Sequence, residues 1–164
     1  MERKIIEREA ITQALRKITY GFYILTSKYE ERYAAGTVCW VCQTSFEPPL
    51  VMTAVRAETN LRRVIQDSGV FAVNVVGKSE KPMLWPFAKE TRFEDGRLNG
   101  YEFDVGPLGC PLIHGLPAYF ECRVIETLQP GDHVMFIGEA VNPGVRDLNA
   151  EPLIEWETDL RYGG

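Results

Sequence analysis

The feature that most constrains this chain is a series of short β-patterned segments, parted by turn signals and only rarely by helices. Tyr20–Thr26, Ala34–Gln43, Leu50–Val55, Val70–Val76, Ala118–Thr127 and His133–Val141 are rich in the aromatic and β-branched residues that favour strands. Leu153–Tyr162 is expected to add a last strand. The breaks are equally legible. Gly21, the polar run Lys28–Arg32, Pro48-Pro49, Asp95-Gly96, Asn99-Gly100 and Pro130-Gly131-Asp132 all mark turns or bends.

Helical periodicity occurs in three places. Ile6, Ala10, Ile11, Ala14, Leu15 and Ile18 predict an amphipathic helix over 6–18. Leu61, Val64 and Ile65 predict a short helix capped by Thr59 or Asn60 and ended at Ser68-Gly69. A third short helix is expected within 79–88, around Met83, Leu84 and Phe87. Strands and helices do not alternate as a doubly wound parallel sheet requires. The expectation is therefore a mainly β fold, an antiparallel β-barrel with peripheral helices. No repeat, low-complexity tract or linker divides residues 1–164, so a single domain is expected.

Composition narrows the function classes. A net charge of −5 argues against a general nucleic-acid or anionic-membrane binder. The charge is uneven, however: residues 1–82 carry a net +3 and residues 83–164 a net −8, which leaves room for a local anion site. No run reaches the ~18 apolar residues of a membrane span, and the start Met1–Glu7 is charged where a signal peptide is apolar, so a cytoplasmic location is expected. Four cysteines at this length suggest reduced thiols, and two histidines leave no multi-histidine metal site. The glycine-rich nucleotide fingerprints and the hydrolase and zinc-protease motifs are absent.

Four places carry candidate chemistry. Cys39-Trp40-Val41-Cys42 has the spacing of a thiol pair, but residues three apart on a strand face opposite ways. Along Ala34–Gln43 one face reads Gly36, Val38, Trp40, Cys42, which is core-like. The other reads Ala35, Thr37, Cys39, Val41, Gln43, mostly small or polar. Small side chains let a planar ligand reach backbone N–H and C=O groups, and the same pattern also fits a plain strand with one solvated face. The helix after Thr59 has Arg56 before it and Arg62 and Arg63 in its first turn, where cations oppose the helix dipole unless an anion sits at the free N–H groups. Solvated arginines beside a short helix fit that pattern too. His133 opens an apolar strand after Gly131-Asp132, a place equally suited to a surface residue, and His114 reads as structural. Trp85, Phe87, Trp156 and Tyr162 suit either core or the cover of a ring system.

Together these segments resemble a known family. The run Gly36-Thr37-Val38-Cys39-Trp40-Val41-Cys42-Gln43-Thr44-Ser45-Phe46-Glu47-Pro48-Pro49-Leu50-Val51 resembles the central signature of the flavin reductase-like family of FMN-binding split barrels. Ser68–Val76 is similar to that family's next strand, and Gly131-Asp132-His133 through Gly138 to its G-D-H-x-x-x-x-G motif. Leu15–Tyr23 and the Trp-Val-x-Gln variant are similar to the flavoredoxin-like subgroup, and the match runs in order from about residue 14 to Tyr162.

The resemblance implies an antiparallel Greek-key split β-barrel, a homodimer that binds FMN near the subunit interface. By position, Thr37, Val38, Cys39 and Trp40 would line the flavin ring, and Gln43, Thr44 and Ser45 would face the ribityl chain or phosphate. Arg56, Thr59, Asn60 and Leu61 would hold the phosphate, His133 would stand beside the reduced nicotinamide, and Phe87 and Lys89 would close over the flavin. Cys39 and Gln43 stand where many members have Ser or Thr, and Trp40 replaces a small residue; these departures put rapid release of reduced flavin in doubt. The implied activity is hydride transfer from NADH or NADPH to FMN, or FAD, with a monooxygenase or other protein as a possible electron acceptor. The alternative is a carrier that keeps FMN tightly bound and passes electrons to a protein partner. Neither a metal nor a nucleic-acid or membrane partner is implied.

Overall fold

The computed structural model describes the backbone of residues 2–164 and the side chains from Lys4 onward. In chain order the elements are α1 (Glu2–Leu15), β1 (Tyr23–Tyr29), β2 (Arg32–Val38), β3 (Val41–Ser45), β4 (Leu50–Arg56), α2 (Asn60–Ser68) and β5 (Val70–Val75). A 3-10 turn, Lys78–Met83, leads into α3 (Leu84–Phe87). Two small hairpins follow, β6 (Phe93–Glu94) with β7 (Arg97–Leu98) and β8 (Phe103–Val105) with β9 (Pro111–Ile113). The long pair β10 (Ala118–Leu128) and β11 (His133–Val145) completes the strands.

Seven strands form one sheet in the order β2-β1-β5-β10-β11-β4-β3, every neighbouring pair antiparallel. Its two edge strands, β2 and β3, are consecutive in the chain and joined only by Cys39 and Trp40. That link holds the two edges side by side without a ladder between them, so the sheet curls into a barrel with one open seam.

The expected strand over Ala34–Gln43 is thus two strands, and the supposed alternation of faces fails at the link. The Trp40 carbonyl accepts from Ala54 N–H and the Cys39 carbonyl from Val41 N–H, so the chain turns there from one sheet edge to the other. Cys39 is consequently buried and Cys42 exposed. Leu153–Tyr162 is not a strand either. It makes one isolated bridge, Gly21 to Ile154, just after another from Gly77 to Pro152, and then a 3-10 turn at Glu155–Glu157. Thr158 Oγ1 donates to the Glu155 carbonyl and accepts from Leu160 N–H, local bonds that compete with an extended ladder.

The barrel interior is filled by Leu25, Ala34, Val51, Phe71, Val73, Val134 and Phe136, and α2 presses Leu61, Val64 and Ile65 onto them. The outer face of β1 and β2, with Ile24 and Ala35, packs on Met83, Leu84, Phe87, Leu98, Ile113 and Leu116. Adjacent residues Ile24 and Leu25 therefore serve different cores, which explains the unbroken apolar run of β1. The buried Asn74 amide ties the layers together: its Nδ2 donates to the Ile24 carbonyl (3.1 Å) and to Thr26 Oγ1 (3.3 Å), and its Oδ1 accepts from Ile113 N–H (2.9 Å). By contrast α1 leaves Ile5, Ile6, Ile11 and Leu15 exposed, as is Ile18 beyond it. The helix forms, but the amphipathic face expected of it does not: its apolar residues are spread around the axis and almost all of it is exposed, and no described part of this chain covers them.

Candidate functional site

The open seam widens into a cavity of about 700 Å3, bounded by β2 and the Cys39-Trp40 link, the end of β4, the start of α2, α3 with the strap that follows it, and the C-terminal segment. This volume is ordinary for a site that holds a cofactor.

Backbone groups line one wall because β2 is a sheet edge. Thr91 Oγ1 accepts from Ala35 N–H (3.0 Å) and donates to the Ala35 carbonyl (3.1 Å), so Ala35 turns its polar groups away from β1. The two-residue period of a strand then turns the N–H and C=O of Thr37 to the same open edge, while Gly36 and Val38 pair with β1. The Thr37 hydroxyl is already engaged, donating to the Leu84 carbonyl at 2.8 Å. Thr37 therefore offers its backbone to the cavity and uses its side chain to hold α3. Gly36 allows close packing here, since a Cβ would stand 3.0 Å from Leu61 Cδ2.

The second wall is the N-terminus of α2. Thr59 has extended backbone (φ −79°, ψ 153°) and caps the helix, its Oγ1 accepting from Arg62 N–H at 3.2 Å. Helical geometry leaves Asn60 and Leu61 N–H without an intrahelical acceptor. No acidic residue sits in the first turn. Arg56 and Arg63 flank this end at the cavity, together with Lys89 and the carboxylates of Glu58 and Glu90. Arg62 points elsewhere: its Nε donates to the Ala57 carbonyl (2.7 Å) and its guanidinium to Gln66 (2.9 Å). The two neighbouring arginines are thus divided between helix support and the cavity.

The third wall is aromatic. Trp40 packs against His133 (centroids 4.6 Å apart) and edge-on against Tyr162 (5.1 Å). Its Nε1 is buried without a protein acceptor. His133 Nε2 lies 2.8 Å from the Tyr162 hydroxyl and its Nδ1 2.7 Å from Asp132 Oδ1. Tyr162 is held in turn by its own N–H, which donates to the buried Glu155 carboxylate at 2.7 Å. Burial pushes the Tyr162 phenol above its ordinary value, with the Arg56 charge opposing. Burial also pushes the Cys39 thiol up to about 12, helped by the Glu155 charge, so it stays S–H and is no nucleophile.

Of the candidate residues, Thr37, Val38, Cys39, Trp40 and Phe87 line the cavity around its apolar part, and Arg56, Thr59, Asn60, Leu61 and Lys89 its cationic end. His133 is one layer behind, reaching the cavity through Trp40 and Tyr162. Gln43, Thr44 and Ser45 are not in the cavity lining: after the turn at Cys39-Trp40 they run along β3, the other edge strand of the sheet, with Gln43 and Thr44 exposed and Ser45 half-buried. Arg63, expected only as one of two arginines in the first turn of the helix, and Tyr162, expected as either core or ring cover, line the cavity, and Leu84 and Thr91 join them without having been candidates. Helical spacing was a signal for Arg63, one position from a residue that turns away. Nothing local marks Tyr162, which reaches His133 only because the chain's end folds back over the seam.

The group chemistry suits a flavin nucleotide: a flat apolar slot, an open strand edge for a ring that both donates and accepts, and a helix N-terminus with two arginines for a phosphate. Among the described residues no group of His, Cys, Asp and Glu converges to hold a metal.

A family model described as a flavin reductase-like domain matches residues 15–164. A ferric-chelate reductase (NAD(P)H) from Archaeoglobus fulgidus is 32% identical over 139 residues, covering 81% of this chain and 80% of its own. The NADH-dependent flavin reductase StyB of Pseudomonas fluorescens is 28% identical over 161 residues, covering 97% and 91%. Other relatives are longer, and the chain spans only 51% of an Aeropyrum pernix protein. Among solved structures, the styrene monooxygenase flavin reductase of Pseudomonas putida S12 superposes with a TM-score of 0.75 at 28% identity, covering 87% of this chain and 89% of that one.

Proposed function

Because the chain belongs to the flavin reductase-like domain family, we propose that it is an NAD(P)H-dependent flavin oxidoreductase that holds FMN in the seam cavity. The observation that carries this reading is the convergence of the open β2 edge, the free N–H groups of α2 and Arg56 and Arg63 on one cavity. When bound, the flavin supplies the hydride-accepting chemistry, so no protein nucleophile is needed.

The chain's own residues bind and orient. Thr37 presents N–H and C=O to the ring edge, and its hydroxyl holds α3 in place. Val38, Leu84 and Phe87 shape the slot. Asn60 and Leu61 N–H, Arg56 and Arg63 hold the phosphate, and Lys89 stands at the mouth. The strap over 84–91, pinned to Ala35 by Thr91, excludes water from one side. His133, braced by Asp132 and Tyr162, is placed on the nicotinamide side. FMN is preferred over FAD in this reading because the cationic end already accounts for a single phosphate.

A homodimer is part of the proposal, since the exposed apolar residues of α1 need a cover. Reduced flavin is passed to an acceptor, and the resemblance to the styrene monooxygenase flavin reductase and to the ferric-chelate reductase makes a monooxygenase or a ferric chelate the acceptors to try first. The test is anaerobic addition of NADH or NADPH to the protein loaded with FMN. Bleaching of the flavin absorbance with either nucleotide is the expected result. No bleaching with either would leave only the tightly bound electron carrier.

A further inference from the structure

The geometry points to Tyr162 as the cavity's proton-delivering residue, its hydroxyl reversing polarity as His133 gains or loses a proton. The inference rests on the flavin-reductase reading for what occupies the cavity, but the hydrogen-bond reversal itself belongs to the chain alone.

The chain of bonds allows only one arrangement at each protonation state. Asp132 is held below the usual carboxylate range by its hydrogen bond to His133, so it is an acceptor only. His133 Nδ1, 2.7 Å away, must therefore carry a proton. In the neutral imidazole Nε2 is then bare and accepts the Tyr162 O–H at 2.8 Å, which leaves a phenol lone pair facing the cavity. In the imidazolium, Nε2–H donates instead. The phenol oxygen accepts it, and the Tyr162 proton is free to turn to the cavity.

A proton can cross this pair without charging the tyrosine. Tyr162 gives its O–H proton to an acceptor in the cavity as His133 Nε2–H gives its own to the phenol oxygen. Tyr162 ends as it began, and His133 ends neutral with its bare Nε2 toward Tyr162; between turnovers water at the exposed Tyr162 returns the proton to Nε2 by the reverse transfer through the phenol oxygen. Reduction by NAD(P)H consumes one solvent proton per hydride, and this route supplies it.

The other titratable groups around the pair are few. Arg56 stands opposite His133 in the β4–β11 ladder, and both its charge and a hydrogen bond donated to the phenol oxygen act on Tyr162; as a donor it takes a lone pair and leaves the O–H proton to turn. The Cys39 thiol acts on Tyr162 and stays protonated. Glu155 takes the Tyr162 backbone N–H rather than the phenol. Trp40 packs against both rings and has no proton to exchange. His133 is thus the one group of the set bonded through two ring nitrogens, one on each side of the relay.

The first test uses the flavin-free protein. In 15N-histidine spectra above the His133 transition, the proton is expected on Nδ1, with Nε2 shifted by the Tyr162 O–H. Tyr162→Phe keeps the ring against Trp40 and is expected to move the Nε2 resonance alone. A proton found on Nε2 in the wild type, or an Nε2 resonance unmoved by Tyr162→Phe, overturns the reversal. The second test is single-turnover reduction of the FMN-loaded protein across pH. Tyr162→Phe is expected to slow reduction roughly tenfold or more below the His133 transition and less than about threefold above it, as loss of a proton donor does. Equal slowing at every pH marks a merely structural role and overturns the proposal. Absence of reduction by either nucleotide in the wild type overturns the delivery of a proton to flavin, while the spectra still decide the reversal.

Discussion

Replacing Asn60 by Pro removes one backbone donor from the cavity while leaving the helix that carries it intact. Asn60 is the first residue of α2, where proline fits the helix and where the N–H has no intrahelical partner to lose. Proline also restricts the residue before it to extended backbone, and Thr59 already has φ −79° and ψ 153°. The fold should therefore keep its melting temperature or gain slightly, by about 0.4–1 kcal/mol from the stiffer unfolded chain. Binding is a different matter. A hydrogen bond from that N–H to a phosphate is charge-assisted and worth roughly 1.5–3 kcal/mol, or a rise in Kd of roughly 10- to 150-fold. Flavin fluorescence titration measures it, with two controls. Asn60→Ala separates loss of the side chain from loss of the N–H, and riboflavin, which lacks the phosphate, should bind the two variants equally. If Asn60→Pro binds FMN as tightly as Asn60→Ala, the α2 N-terminus is not the phosphate site.

Two further outcomes follow from the same geometry. Asn74→Ala deprives the buried Ile113 N–H of its acceptor, which costs roughly 1–3 kcal/mol, and at this chain length lowers the melting temperature by roughly 2–12 °C; an unchanged thermal transition would show the amide to be dispensable. In the native protein, iodoacetamide followed by mass spectrometry should label the exposed Cys42 and spare Cys39, Cys110 and Cys122, all buried and pushed up by burial; early labelling at Cys39 would contradict its burial in the cavity wall.

Much of the architecture was legible because it depends on local chemistry. Thr59 caps α2 and Gly69 ends it at φ 70°, as their residue types require, and Leu61, Val64 and Ile65 are buried at the spacing that predicted them. The β-branched runs are strands, and the hairpin across Pro130-Gly131-Asp132 joins β10 to β11. α1 shows the limit of this reasoning: the pattern marks a helix, but the apolar residues lie around its axis and stay exposed, so the single buried face it predicts does not form.

What the sequence by itself determined was the menu: mainly antiparallel strands, a short capped helix with arginines at its N-terminus, and a histidine opening a strand. Periodicity, capping and turn chemistry are decided within a few residues, so they can be read there. Only the tertiary structure decided the order β2-β1-β5-β10-β11-β4-β3 and the break at Cys39-Trp40 that opens the seam. It also decided that Arg63 rather than Arg62 faces the cavity, that Gln43, Thr44 and Ser45 run away from it, and that Tyr162 meets His133. Each depends on contacts between residues distant in the chain. The physical reason is that sheet edges and buried hydrogen bonds are settled by which distant groups satisfy one another, and no local pattern encodes that choice.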